Sequence, residues 1–352
     1  TFFESFQSIM GKKLDRFFAG LTGILLAAAA LWVCYQNRPV VVENSGFRPI
    51  MGTLAQVTAT AENKAIARKA IQAAWEALEK VYQTMNDRDP ESELSRLNNS
   101  AFGQEVVVSS DLFAVLCASQ QYSRLTDGAF DITVGPEAAL WRRMEKTGKA
   151  PAAEEIAEAR KKVGYEKMVL NPSRQSVRFE VEGMRLDLGG IAKGYAVDLA
   201  IAAMQEQGAK GGMVDVGGNI RCFGTPPPPA KNWIVGIQNP RSESLIGKVR
   251  LDNFAVATSG DYRRFAQINE KRYSHILNPA TGESIEGLIS VTVLAASAME
   301  ADALSTAVSV LGKEKGLALI ESLPEAEAIL IAAEKPEELI LSSGAEMYLA
   351  DY

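Results

Sequence analysis

The segment Asp187 to Asp198, DLGGIAKGYAVD, constrains the fold more than any other stretch of the chain. A strand-like run, Val177 to Leu188, precedes it, and a helix-like run, Ile191 to Met204, follows it. Gly189 and Gly190 at the junction predict a tight strand-to-helix turn that lets a ligand approach the backbone. Free N–H groups at a helix start attract an anion. Lys193 falls in the first helical turn, where a cation opposes the helix dipole and needs an anion nearby. The junction is therefore a candidate phosphate site. A plain turn with Lys193 reaching into water is the competing reading, because short glycine motifs are common.

The flanking segments mix hairpins and helices without regular β–α–β alternation, which predicts an α+β fold of mixed sheets with packed helices. The pattern predicts a strand over Phe47–Thr60 with a turn at Met51-Gly52-Thr53, and an amphipathic helix over Asn63–Met85. Further helices are expected at Ser92–Asn98, at Ser109–Thr126 with a cap near Ser110 or Asp111, and at Pro151–Val163. Lys167–Leu188 reads as a hairpin turning at Glu182-Gly183, and Gly211–Gly224 as strand, turn and strand. Leu288–Ala295 reads as a strand, followed by helices at Ala298–Leu311 and Lys315–Leu323.

Composition narrows the function. The net charge of −6, with no basic cluster after the first few residues, argues against a nucleic-acid partner. The three cysteines, Cys34, Cys117 and Cys222, are far apart and suggest neither a disulfide framework nor a zinc site. The single histidine rules out a multi-histidine metal site, so any metal is hard and oxygen-bound. Lys12, Lys13 and Arg16 precede an uncharged apolar run from Phe17 to Tyr35. At about 1.5 Å per residue such a run nearly spans a bilayer core of roughly 30 Å. Residues 1–37 are expected to be a signal peptide or an uncleaved anchor, with residues 38–46 as a linker. The positive residues leave the start of the chain in the cytoplasm and carry the rest across. Cys34 sits where a lipoprotein cysteine would, but Leu31, Trp32 and Val33 before it are not small, so lipidation and ordinary membrane burial both stand.

Several constellations could carry chemistry. Asp302 and Thr306 are four residues apart, hence on one helix face, and offer a partial shell for Mg²⁺. The alternative is that Thr306 bonds its own helix backbone and Asp302 is solvated. Ala129-Phe130-Asp131 sets an aromatic ring beside a carboxylate, suited to a flat heterocycle, or else to a core strand. Gly217-Gly218-Asn219 supplies turn amides. His275 could act as a general base, with Asp261 as a second possibility; both could also be plain turn residues. No G-x-S-x-G elbow, P-loop or complete G-x-G-x-x-G fingerprint is present.

Met51-Gly52-Thr53, SELSRLN, GAFDITVGP, DLGGIAKGYAVD, DVGGN, SGDY, SHILNPATG and ADALSTA follow one another in this order. In this the chain resembles the ApbE family of FAD:protein FMN transferases from about Phe47 onward. The resemblance implies a T-fold-like α+β domain over residues 47–352 that uses Mg²⁺ and takes FAD as substrate. It implies transfer of FMN from FAD to a threonine hydroxyl of a target flavoprotein, forming a phosphoester and releasing AMP. The implied partner is a subunit of a membrane redox complex, and the implied location is the periplasmic side of the inner membrane. Carried over by motif, Met51, Ala129, Phe130, Asp131, Asp187 and Lys193 contact FAD. Asp302 and Thr306, with the Gly190 carbonyl, hold Mg²⁺, while His275 and Ile276 lie by the flavin and the reacting phosphate. Arg88 stands where many members carry Tyr or Trp; a guanidinium also stacks on an aromatic plane, so Arg88 is included as a flavin contact. Asn278 stands where aspartate is frequent. Two other activities use the same residues: an FAD pyrophosphatase giving FMN and AMP, and a non-catalytic flavin-binding lipoprotein.

Overall fold

The computed structural model describes residues 40–350 except 261–264 and 269–270. Among the described residues no helix is long and apolar enough to cross a membrane. The apolar run Phe17–Tyr35, with Cys34, lies outside them, as does Asp261.

A nine-stranded sheet organises the chain. Its strands are β1 (Val41–Asn44), β2 (Arg48–Ile50), β3 (Thr53–Ala61), β4 (Gly211–Val216), β5 (Asn219–Gly224), β6 (Ala255–Gly260), β7 (Leu288–Ala295), β8 (Glu327–Ala332) and β9 (Ile340–Leu341). The order is β1-β3-β4-β5-β6-β7-β8-β9, with β2 hairpinned onto β3. Every pairing is antiparallel. The helices are α1 (Lys64–Met85), α2 (Glu93–Ser100), α3 (Ser110–Leu125), α4 (Gly135–Thr147), α5 (Ala153–Arg160), α6 (Ala192–Glu206) and α7 (Ala298–Glu321). The α+β expectation therefore holds.

Alternation along the strands builds two cores. On one face, Val57 and Val214 pack with Leu78 of α1 and Ile201 of α6, and Val291 and Val293 pack with Leu304 and Val308 of α7. On the other, Ile220, Val256 and Leu294 pack under Trp233, Val235 and Val249 of a separate hairpin, Trp233–Gln238 with Leu245–Leu251. Strand β7 is buried along its whole length, which fits a run that is apolar but for Ser290 and Thr292. The predicted gap between two C-terminal helices is real: α7 breaks at Gly312, whose φ is +77°.

Three readings need correction. The Lys167–Leu188 hairpin turns earlier, with Met168–Asn171 paired to Ser176–Phe179. Its turn is built by polar residues, Ser173 Oγ donating to Asn171 Oδ1 at 2.8 Å. Gly183 makes a second turn at φ +76°, so no strand continues to Leu188. Helix α3 is capped by Ser109, whose Oγ accepts from Leu112 N at 3.3 Å, rather than by Ser110 or Asp111. Helix α4 was not expected from periodicity; a proline in its first turn starts it.

Helices α6 and α7 cap each other. Helix α6 has no side-chain cap of its own, and Asp302 Oδ2 of α7 accepts from Gly194 N at 3.0 Å. In return, Asp198 of α6 accepts from Ala298 N and Met299 N at the start of α7, each at 2.9 Å. Each carboxylate thus satisfies donors that a helix start leaves unpaired. The exchange requires close approach: a Cβ on Gly194 would fall 2.2 Å from the Ala298 carbonyl oxygen. Gly194→Ala is accordingly expected to force the two helices apart and cost about 1–3 kcal/mol, measured as a lowered urea midpoint with an unchanged slope.

Candidate functional site

The mutual capping determines where Lys193 goes. Its Nζ donates to Asp302 Oδ1 and Oδ2 at 3.3 and 3.4 Å and to the Gly189 carbonyl at 2.8 Å. This supplies the neighbouring anion that a cation in a first helical turn demands. Asp302 is almost fully buried, its side chain 5% exposed. Burial pushes its carboxyl above the ordinary aspartate range, while the Lys193 charge and the Gly194 N–H pull it back.

Gly190 faces Thr306 across this pair. A Cβ on Gly190 would come 2.9 Å from Thr306 Oγ1 and 3.3 Å from Phe130 Cε2. Ser305, not Thr306, bonds back to the Asp302 carbonyl, at 2.9 Å. Thr306 Oγ1 makes no hydrogen bond to other described residues, so its hydroxyl is available to a ligand. The Asp302 carboxylate, the Thr306 hydroxyl and the Gly189 carbonyl offer hard oxygen donors, and the Lys193 ammonium already rests on the carboxylate and the carbonyl as a cation does. Among the described residues no three His, Cys, Asp or Glu side chains gather into a metal site. A cation held here needs carbonyls, water or substrate oxygens to complete its shell, which is the habit of Mg²⁺.

These groups line a cleft of about 480 Å³ that also takes in Met51, Arg88, Ala129, Asp187, His275 and Ile276. The cleft therefore brings together all the expected site residues that are described. Met51 reaches it from the β2–β3 turn, where Met51 and Gly52 have φ of +50° and +69°. Those angles give the twist that a two-residue hairpin needs. Ala129, Phe130 and Asp131 lie in the irregular segment after the turn Thr126–Gly128, not in a strand. Phe130 is buried edge-on against Tyr122, with centroids 6.3 Å apart. The carboxylate of Asp131 is largely engaged: Oδ1 accepts from Thr133 N and Oγ1 at 2.7 Å, and Oδ2 from Tyr165 N at 2.9 Å. Burial nonetheless raises its pKa. Asp187 Oδ1 accepts from Gly189 N at 2.8 Å, shaping the glycine turn.

His275 and Ile276 sit on a small hairpin, Leu277–Asn278 paired with Glu283–Ser284. Ser274 Oγ accepts from Ile276 N at 3.1 Å, and Ser284 Oγ donates to the Ser274 carbonyl at 2.9 Å. His275 is exposed at the cleft wall, and Ile276 is buried beside it.

The site includes residues that motif spacing did not suggest. Arg142 of α4 bonds Asp87 at 2.5 Å and Asp187 at 3.4 Å, tying the loop before α2 to the glycine turn. Asn219, 2% exposed, has a side-chain oxygen without a hydrogen-bond partner among the described residues and lines the cleft. Its place in the predicted GGN turn was a usable signal; Arg142 offered none, since its partners are distant in sequence.

Comparison with known proteins agrees with this geometry. The sequence model of the ApbE family matches residues 51–330. The FAD:protein FMN transferase of Haemophilus influenzae is 34% identical over 325 residues, covering 86% of this chain and 90% of that protein. The protein of the same name from Vibrio cholerae is 33% identical over 280 residues, 78% of this chain and 83% of that one. Among solved structures, the ApbE protein of Thermotoga maritima superposes with a TM-score of 0.81 at 30% identity, covering 89% of this chain and 100% of that one. The flavin transferase ApbE of Vibrio cholerae gives 0.79 at 30% identity, covering 88% and 100%.

The contact at Gly190 yields a direct test. Gly190→Ala places a methyl against Thr306 Oγ1; if the cleft is a cation and flavin-nucleotide site, the variant is expected to weaken Mg²⁺ and FAD binding at least tenfold, an effect of about 1.4 kcal/mol or more. Titration calorimetry measures it, with the melting temperature serving as the check on folding.

Proposed function

This chain belongs to the ApbE family, and we propose that it transfers the FMN half of FAD to a threonine hydroxyl of a target flavoprotein. The threonine oxygen forms a bond to the FMN phosphorus, the bridging bond of the pyrophosphate breaks, and AMP leaves with that bridging oxygen. The hydroxyl proton passes to a base. The observation that carries this reading is the oxygen-lined cradle at the start of α6, where Lys193, Asp302, Thr306 and Gly190 converge beside a cleft with an aromatic wall.

Each residue has a task the chemistry requires. Lys193 and the N–H groups at the start of α6 neutralise pyrophosphate oxygens as negative charge builds on the leaving side. Phe130, Met51 and Arg88 flank the flat parts of FAD, and Asp187 keeps the glycine turn open to the phosphates. Asp302, Thr306 and the Gly190 carbonyl would hold Mg²⁺, and Lys193 would face the substrate phosphates. When bound, Mg²⁺ supplies charge neutralisation at the phosphoryl oxygens. His275 takes or orients the threonine proton from the cleft wall; Asp261, one residue beyond β6, is the second candidate. The remaining elements of the proposal are a T-fold-like catalytic domain over residues 47–352, an N-terminal anchor over residues 1–37, and a place on the periplasmic side of the inner membrane. There it would meet a threonine-bearing subunit of a membrane redox complex.

Incubating residues 40–352 with FAD, Mg²⁺ and a threonine-bearing target tests the reaction by mass spectrometry. The expected result is a target heavier by one FMN phosphoester and an equal amount of AMP. Free FMN and AMP without labelling mean hydrolysis, and unchanged FAD means a binder; either result replaces the transfer reading. Chelation with EDTA is expected to stop transfer and added Mg²⁺ to restore it. His275→Ala is expected to slow transfer by about 10²–10⁴-fold with FAD affinity little changed. Full activity of that variant across neutral pH would remove His275 from the mechanism.

A further inference from the structure

Glu137, in the first turn of α4, has no role in the chemistry above. It is fully buried, and neither carboxyl oxygen has a hydrogen-bond partner among the described residues. A carboxylate in such a place is strongly disfavoured, whereas the neutral acid is tolerated. Burial is the main cause that pushes its pKa up to about 8; Arg160 of α5 opposes the shift, and Asp131 before α4 adds to it.

What lies against Glu137 is the tip of the hairpin that carries His275. A Cβ on Gly282 would lie 3.1 Å from Glu137 Oε1, 2.6 Å from Ile156 Cγ2 and 3.3 Å from Arg160 Cγ. The tip therefore packs against both α4 and α5, with Glu137, Ile156 and Arg160 converging on Gly282. One turn further along α4, Trp141 Nε1 donates to the Gly282 carbonyl at 2.8 Å, and its ring packs on Tyr273, with centroids 5.4 Å apart. The hairpin's own ionisable side chains are His275 and Glu283, and neither hydrogen-bonds Glu137. The seated tip helps to keep water from the carboxyl, which is fully buried.

We propose that Glu137 is a proton-dependent positioning residue: the neutral acid lets the hairpin seat on α4 and hold His275 and Ile276 at the cleft wall, and the carboxylate lifts the tip to reach water and Arg160. The functional half of this inference rests on the transfer reading with His275 in the cleft; the structural half does not. The sign follows from the raised pKa. The seated form prevails below the midpoint and is lost as pH rises through it.

The test is the indole N–H resonance of Trp141 in ¹⁵N-labelled protein without FAD or acceptor, followed from pH 6 to 9.5. In the wild type this resonance is expected to shift with a midpoint near 8. In Glu137→Gln and Glu137→Met, which carry no charge, it is expected to stay at its low-pH position. A wild-type resonance that does not titrate, or a titration that persists in both variants, overturns the proposal. This readout requires no transfer, so it stands or falls apart from the proposed activity. Where transfer is observed, its rate in the wild type is expected to fall at alkaline pH. One pH unit above the midpoint, Glu137→Gln is expected to be faster by about tenfold. Identical alkaline profiles for the wild type and Glu137→Gln would refute the link to His275.

Discussion

The exchange of carboxylates between α6 and α7 is the interaction on which the rest of the site depends. Asp302 caps α6 and Asp198 caps α7, across a contact that leaves no room for a side chain at Gly194. A second cation, Arg221 of β5, bonds Asp198 at 2.6 Å and ties the pair to the sheet. Because Asp302 must reach the α6 backbone, it also meets Lys193 one residue earlier. Because α7 lies that close, Thr306, one turn beyond Asp302, lands against Gly190. A structural device for satisfying two helix starts thereby assembles a buried carboxylate, an ammonium and an available hydroxyl around a glycine turn. Burying such charges is costly unless they are paired and hydrogen-bonded, and here each one is.

Much of this arrangement was legible in the sequence, for identifiable reasons. Strand β7, the α1 stripe and the break near Gly312 carry strong periodic or punctuating signals, and the structure matches them. Lys193 in a first turn announced an anion because the helix dipole demands one. The spacing of Asp302 and Thr306 placed them on one face, yet could not reveal that Asp302 faces another helix. Asp198 looked like the end of a motif, and its capping role depends on a partner 100 residues away. Helix α4 was missed because its start is marked by Gly135-Pro136 and not by a capping side chain. The early turn of the 168–179 hairpin was missed because Asn171 and Ser173 build it without glycine, while Gly183 drew attention further on. Arg142 and Glu137 become visible only once α4 is seen to support two loops at once.

The two sides of the cleft differ in how they are held. The side at the start of α6 is fastened through backbone capping and the sheet. The opposite wall is a short hairpin seated by an indole hydrogen bond from Trp141 and packed against the buried Glu137. A rigid floor suits the positioning of a pyrophosphate, since catalysis by fixed charge requires that nothing reorganise as charge develops. A lightly held wall suits the entry of a bulky protein acceptor of the kind proposed above.

The central claim is that the carboxylate-capped start of α6 is a cation and phosphate site built on Gly190, Asp302 and Thr306. Anomalous diffraction from crystals grown with FAD and Mn²⁺ in place of Mg²⁺ tests it most directly. The account predicts a single strong peak bounded by the Asp302 carboxylate, Thr306 Oγ1 and the Gly190 carbonyl, with Lys193 displaced onto the pyrophosphate. A peak elsewhere in the cleft, or Lys193 still on Asp302 with FAD bound, would contradict it.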